Sequence, residues 1–282
     1  MRVLVTGGAG QLAQAIRRTW TEHELVIPDE SVLDLSRQDS IQTVVAEVRP
    51  DLLLNCAAFT QVDRCESEAD LAQLINGTAV GWLAEACDAA NARLVQISTD
   101  YVFDGIGRRP YREDDPTNPV SVYGRTKFES ERQAARCVKH LIARTSWLYD
   151  AWGKNFLNTM LNAAAQGRSL CVVDDQFGAP TTCRALARQL KVAAEQEWHG
   201  LVHTTCAGET SWHGFAQAIF EGKGISVDLS PCATADYPTP AMRPAYSVLS
   251  GERRRSLGPD LMPDWREALA EVLTYPDLSK ES

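Results

Sequence analysis

Arg2-Val3-Leu4-Val5-Thr6-Gly7-Gly8-Ala9-Gly10-Gln11-Leu12-Ala13 carries the chain from a short apolar run, through three glycines, into a helical pattern. A run of that length and composition reads as a strand buried on both faces. The residues that end it have separate jobs. Gly7 permits a tight turn, Gly10 lets main chain approach a pyrophosphate, and the small Ala13 lets the following helix sit close to the strand. An anion then rests on free amides at the helix N-terminus. A glycine pattern alone is cheap; a strand before it and a helix after it are the context that gives it meaning.

The same alternation repeats downstream. Residues 24–27, 51–54, 93–97 and 140–143 read as further strands, and residues 11–20, 38–48, 68–90 (as two helices) and 120–137 as helices. Strand and helix in turn predict a doubly wound α/β fold, a Rossmann-type parallel sheet with ligands at the C-terminal ends of its strands. Past residue 145 the order loosens into helix 155–166, strand 170–173, helix 184–196, strand 201–204 and helix 265–273, while residues 231–263 hold six prolines and read as ordered loop. The expected division is a dinucleotide-binding domain over residues 1–145 with a returning segment at about 169–204. A smaller C-terminal substrate-binding domain takes residues 146–168 and 205–282.

Composition narrows the function. Hydrophobic residues make up 44% and charged residues 23%, as in a globular protein, and the net charge of −9 argues against nucleic acid as a partner. The eight cysteines form no CxxC pair and no histidine cluster accompanies them, so no metal site is expected and free thiols are. No secretory leader and no apolar run of membrane-spanning length is evident, so a cytoplasmic location without membrane contact is expected.

The second strand is followed by Asp29, placed to bond a ribose hydroxyl and thereby to favour NADH. Arg37 and the pair Arg17-Arg18 lie near enough to receive the extra phosphate of NADPH, so both cofactors stay open. Asp34-Leu35 follow near the adenine end, and Asn55-Cys56-Ala57-Ala58 closes the third strand with residues small enough for a cofactor to lie on main chain. Further on, Tyr123 and Lys127 are four apart and share one face of a helix, downstream of Ser98-Thr99-Asp100-Tyr101 at a strand end. That set suits carbonyl reduction: a phenol donates a proton, an ammonium favours its phenolate, Thr99 orients the carbonyl, and Asn76 supplies a supporting polar contact or water relay. Trp147 is an aromatic that could stack on a sugar or base or serve the core. Arg243 could clamp a diphosphate. His213, at a helix start, reads as structural.

Gly7-x-x-Gly10, Ser98-Thr99-Asp100-Tyr101-Val102-Phe103 and Tyr123-x-x-x-Lys127 resemble the extended short-chain dehydrogenase/reductase family. Arg144-Thr145-Ser146-Trp147-Leu148-Tyr149, Asp175-Gln176-Phe177-Gly178-Ala179-Pro180-Thr181 and Tyr237-Pro238-Thr239-Pro240-Ala241-Met242-Arg243-Pro244 are similar to its dTDP-4-dehydrorhamnose reductase branch. The resemblance implies an oxidoreductase that uses NADH or NADPH to reduce a thymidine-diphosphate 4-keto-6-deoxy sugar, the last step in making dTDP-L-rhamnose. It puts Thr99, Tyr123 and Lys127 on catalytic positions and Asp100, Tyr101 and Trp147 on sugar-nucleotide contacts. Gly10, Gln11, Leu12, Asp34, Leu35, Ala58, Phe59 and Thr60 fall on cofactor contacts. Some family members bridge a dimer with magnesium-binding glutamates; Ala15 and Arg184 stand at those positions here, so a monomer or weak homodimer without such a bridge is expected. Two rivals share the fold. One is a reductase of another nucleotide-linked 4-keto-6-deoxy sugar; the other is a non-catalytic regulatory subunit, a class that usually loses the tyrosine–lysine pair kept here.

Overall fold

The computed structural model describes residues 1–275; the last seven residues of the expected C-terminal domain lie outside it. β1 (Arg2–Thr6), α1 (Gln11–Thr19), β2 (Glu24–Val26), α2 (Gln38–Val48) and β3 (Leu52–Asn55) follow the expected alternation. Next come α3 (Val62–Ser67), α4 (Ala69–Gln73), a π-helical turn (Leu74–Thr78), α5 (Ala79–Ala89) and β4 (Arg93–Thr99). The first half closes with α6 (Val122–Ala134) and β5 (His140–Thr145).

These strands and a later one, β10 (Gly200–His203), form a six-stranded parallel sheet in the order β10-β5-β4-β3-β1-β2. Chain order reverses between β1 and β3, so the crevice beyond their C-terminal ends is the switch point where such sheets bind ligands. Val3, Leu4 and Val5 are wholly buried because helices cover both faces. α1 packs on one side with Leu12, Ile16 and the Trp20 that caps its C-terminus, and α2 and α5 pack on the other with Ile41, Val45 and Leu83.

The second half consists of β6 (Leu148–Tyr149), α7 (Phe156–Ala165), β7 (Leu170–Val173), β8 (Phe177–Gly178), β9 (Thr181–Thr182), α8 (Cys183–Glu195), β10 (Gly200–His203), β11 (Thr210–Ser211), α9 (Trp212–Lys223), β12 (Leu229–Cys232), α10 (Glu252–Leu257) and α11 (Trp265–Leu273). α8 rests on α1, where Trp20 Nε1 donates to the Ala187 carbonyl at 2.9 Å, and β10 completes the large sheet. β7 behaves otherwise. It pairs with β12 outside that sheet, so of the strands in the expected 169–204 return only β10 joins the large sheet. α7, α9 and α11 enclose a separate core around Phe215 and Trp265.

Two local features departed from expectation for physical reasons. The two helices expected over 68–90 form one run, broken by the π turn that drives Asn76 into the interior. α10 has no apolar stripe to announce it. It is held by buried Arg254, which bonds Asp260 at 2.8 and 3.1 Å and the His203 and Thr205 carbonyls at 3.0 and 3.1 Å. All eight cysteines are free thiols, and among the described residues no helix is long and apolar enough to cross a membrane.

Candidate active site

A cleft of about 1390 Å³ runs from the β1–α1 turn to the first turn of α6. Its floor is set by Gly7, whose φ of +69° needs a residue without a side chain. A Cβ there would stand 2.8 Å from the Ala57 main chain, so the turn and the loop after β3 touch because this position is glycine. Thr6 ties them further: its hydroxyl donates to Asn55 Oδ1 at 2.5 Å and accepts from Ala57 N at 3.1 Å. Gly10 N donates to Gly7 O at 2.8 Å, and Gly10 caps α1 with no side chain, leaving the first-turn amides for a ligand. This cradle fits a dinucleotide pyrophosphate.

Gly7, Gly10, Gln11 and Leu12 line the cleft from the turn; Asp29, Asp34 and Leu35 line it from the segment after β2; Ala57, Ala58, Phe59 and Thr60 line it from the loop after β3. Asp29 Oδ1 accepts from the Ser31 hydroxyl at 2.5 Å and amide at 2.9 Å, and these bonds hold the carboxyl below its ordinary range. Asp34 is held likewise by Ser36. Arg17 also lines the cleft, whereas Arg37 is paired with Asp39 at 2.6 Å.

The other end of the cleft lies where β4 stops. Thr99 ends the strand beside Thr145 of β5, and α6 brings Tyr123 and Lys127 to the same wall. α6 comes this close because Gly124 follows Tyr123: a Cβ at Gly124 would stand 2.3 Å from the Tyr101 carbonyl oxygen. Ser121 caps the helix by accepting from Gly124 N at 3.1 Å, and the Tyr101 and Tyr123 rings meet edge-on at 5.5 Å. Burial pushes the Tyr123 phenol well above its ordinary value, with the Thr99 hydroxyl acting against the shift.

Lys127 is buried, and its Nζ donates to the Ile97 carbonyl at 2.7 Å, so the ammonium is anchored on β4 rather than on the phenol. Burial pushes it down to about 8, opposed by Glu131 one turn further along α6. Glu131 is itself buried, bonded by Arg144 at 2.8 and 2.7 Å and by Ser98 at 2.5 Å. Behind Thr99, Asp100 accepts from the Thr99 hydroxyl at 2.9 Å and from Ser247 at 2.5 Å. Burial raises Asp100 to about 6.

Not every expected contact reaches the cleft. Asn76 is spent on structure: its amide accepts from Phe59 N at 2.7 Å and donates to Phe59 O and Thr126 Oγ1, each at 3.1 Å. Through these bonds it shapes the Phe59 loop, and it does not itself line the cleft. Arg243 grips Asp63 at 3.0 and 2.9 Å and so ties the C-terminal loop to α3. Tyr101 and Asp100 back the cleft wall rather than line it. Trp147 does line the cleft, but its face stacks on Trp212 at 3.5 Å between ring centres. Sequence reading gave no role to Gly124, Glu131, Ser247 or Trp212. Only Glu131 left a usable signal, its four-residue spacing from Lys127.

The model of the RmlD substrate binding domain matches residues 1–277. The chain belongs to the RmlD substrate-binding domain family. A dTDP-4-dehydrorhamnose reductase of Burkholderia thailandensis is 41% identical over 290 residues, spanning 95% of this chain and 97% of the relative. A Streptomyces antibioticus protein described as a probable dTDP-4,6-dihydroxy-2-methyloxan-3-one 4-ketoreductase is 39% identical, over 99% of this chain and 96% of the relative. The crystal structure of a Bacillus anthracis dTDP-4-dehydrorhamnose reductase in complex with NADP superposes with a TM-score of 0.94 at 34% identity, covering 96% of this chain and 98% of that one. The RmlD family therefore accounts for the chain from its first strand to the end of its last helix.

Proposed function

We propose that this chain reduces the C4 keto group of dTDP-4-dehydro-L-rhamnose to dTDP-L-rhamnose with NADH or NADPH. The observation that carries the reading is the meeting of Tyr123, Lys127 and Thr99 in one cleft with the glycine turn after β1. A bound reduced nicotinamide supplies the hydride. Tyr123 donates its phenolic proton to the oxygen of the carbonyl being reduced and recovers one from solvent. The Thr99 hydroxyl lies beside that phenol and orients the carbonyl, while the Lys127 charge stabilises the phenolate left behind. Residues 1–145, with the returning segment at about 169–204, hold the cofactor; residues 146–168 and 205–282 form the part that binds the sugar nucleotide. A cytoplasmic monomer or weak dimer belongs to the same proposal, and gel filtration tests the assembly.

The test is consumption of NADH and NADPH with dTDP-4-dehydro-L-rhamnose, followed by assignment of the C4 configuration of the product by NMR. Absence of turnover with either cofactor would sink the reading. The Streptomyces relative favours one second reading, a 4-ketoreductase for a different deoxy-sugar nucleotide. A higher kcat/KM with such a substrate would select it.

The site also predicts a pH profile. kcat/KM should peak between about pH 6, where Asp100 takes a proton, and about pH 8, where Lys127 loses one. Neither of these two titrations favours unfolding at its own limb. With Lys127 lowered, the unfolded chain binds more protons above about pH 8, so this group adds stability there as pH rises. With Asp100 raised, the folded chain binds more protons just below about pH 6, so this group adds stability as pH falls. A flat profile from pH 5 to 9 would contradict both assignments.

A further inference from the structure

Trp147 sits in a conformation few residues adopt. Its φ is +46°, in the left-handed region that bulky residues rarely enter, and it lies in the cleft wall between β5 and β6. Its indole is enclosed from both sides. One face stacks on Trp212, with 3.5 Å between ring centres and 4° between planes. The other is covered by main chain at Gly178. A Cβ built there would stand 2.4 Å from Cε2, 2.6 Å from Nε1 and 2.7 Å from Cζ2, near-equal separations that put it above the ring plane and not beside its edge. No side chain fits at residue 178 while the indole keeps this place.

Trp212 is rooted in turn. It begins α9 directly after the capping Ser211, whose hydroxyl accepts from Gly214 N at 2.9 Å, and it packs on Phe156 at 4.7 Å. Phe156 stacks on Phe215 in the C-terminal core. The ring in the cleft is thus held by a core on the far side of the chain. An indole with both faces covered has no face for a sugar or a base. It has an edge, and on that edge an Nε1–H that donates to no acceptor among the described residues.

We propose that Trp212 is the positioning residue that holds Trp147 edge-on, so that the site presents the sugar nucleotide with an indole N–H donor for one of its oxygen atoms instead of a stacking surface. This rests on the reductase reading above and extends it to how substrate is oriented. Trp212 itself does not line the cleft, and its effect passes through Trp147.

The experiment compares Trp212→Leu, Trp212→Phe and Gly178→Ala with wild type in steady-state reduction of dTDP-4-dehydro-L-rhamnose, alongside NADPH affinity by fluorescence titration. Trp212→Leu removes the stacked partner, and Gly178→Ala pushes the ring from its other face. Each should raise KM for the keto-sugar nucleotide about tenfold, the size of a lost aromatic pair. kcat and NADPH affinity should stay within about twofold of wild type, and Trp212→Phe should recover most of the KM, because a stacked ring is restored. A fault confined to packing would instead weaken cofactor affinity, kcat and melting temperature together. Wild-type KM in Trp212→Leu overturns the proposal. If that variant does not fold, wild-type KM in Gly178→Ala, or no difference in KM between Trp212→Phe and Gly178→Ala, overturns it. Wild-type turnover is the control: its absence defeats the reductase reading, whereas turnover with unchanged KM in the variants defeats this inference alone.

Discussion

Tyr123→Phe should lower kcat for keto-sugar reduction by about 10² to 10⁴, the usual contribution of a positioned proton donor. The substitution removes one oxygen and leaves the ring, so the edge-on contact with Tyr101 at 5.5 Å and the approach of α6 through Gly124 persist. NADPH affinity should therefore be close to wild type, and the loss should appear in kcat at saturating substrate. Burial also makes the role demanding. It holds the phenol well above its ordinary value, so the proton leaves readily only when a developing alkoxide takes it and the Lys127 charge is near. Stopped-flow absorbance at 340 nm with wild type and variant checks the expectation. Retention of nearly full turnover by the variant would mean that another group donates the proton.

Glu131→Gln should be the most destabilising single change near the site. Glu131 and Arg144 are 6% and 3% exposed in their side chains and share bonds of 2.8 and 2.7 Å. Neutralising one partner leaves the other charge buried without compensation, a loss of about 3–5 kcal/mol. For a chain of this size that lowers the melting temperature by on the order of 10 °C, measurable by calorimetry. The double change Glu131→Leu with Arg144→Met should recover much of the loss, because apolar replacements of similar volume need no counter-charge. Activity should separate the two effects. Without Glu131, Lys127 loses the neighbour that opposes its downward shift, so the alkaline limb of kcat/KM should move to lower pH in both variants. A melting temperature within 2 °C of wild type for Glu131→Gln would show that the pair is dispensable.

Local pattern carried a great deal here. The run from Arg2 to Ala13 announces a strand, a turn that only glycine can make at residue 7, and a helix start. The structure has each of these at its place because all three depend on neighbours in sequence. Tyr123 and Lys127 were legible for the same reason: helix geometry alone brings residues four apart to one face. What pattern reading could not see are contacts made across the fold. Asn76 has the residue type of a relay, and the π turn sets its amide against the Phe59 main chain. Arg243 has the type of a phosphate clamp, yet α3 offers it Asp63, 180 positions away in the chain. Ser247, whose hydroxyl donates to Asp100 behind Thr99, and the Trp212 stack under Trp147 come from the C-terminal part and leave no spacing to read.

Tyr123 and the glycine turn were thus decided by the order of residues, since a strand, a tight turn and a helical face are set by neighbours a few positions apart. Which atoms surround the phenol, how strongly burial shifts Lys127, and whether Trp147 offers a face or an edge were decided only by packing. Those depend on groups 30 to 180 residues apart, brought together by burial of the sheet and of the C-terminal core, and no local pattern encodes that meeting.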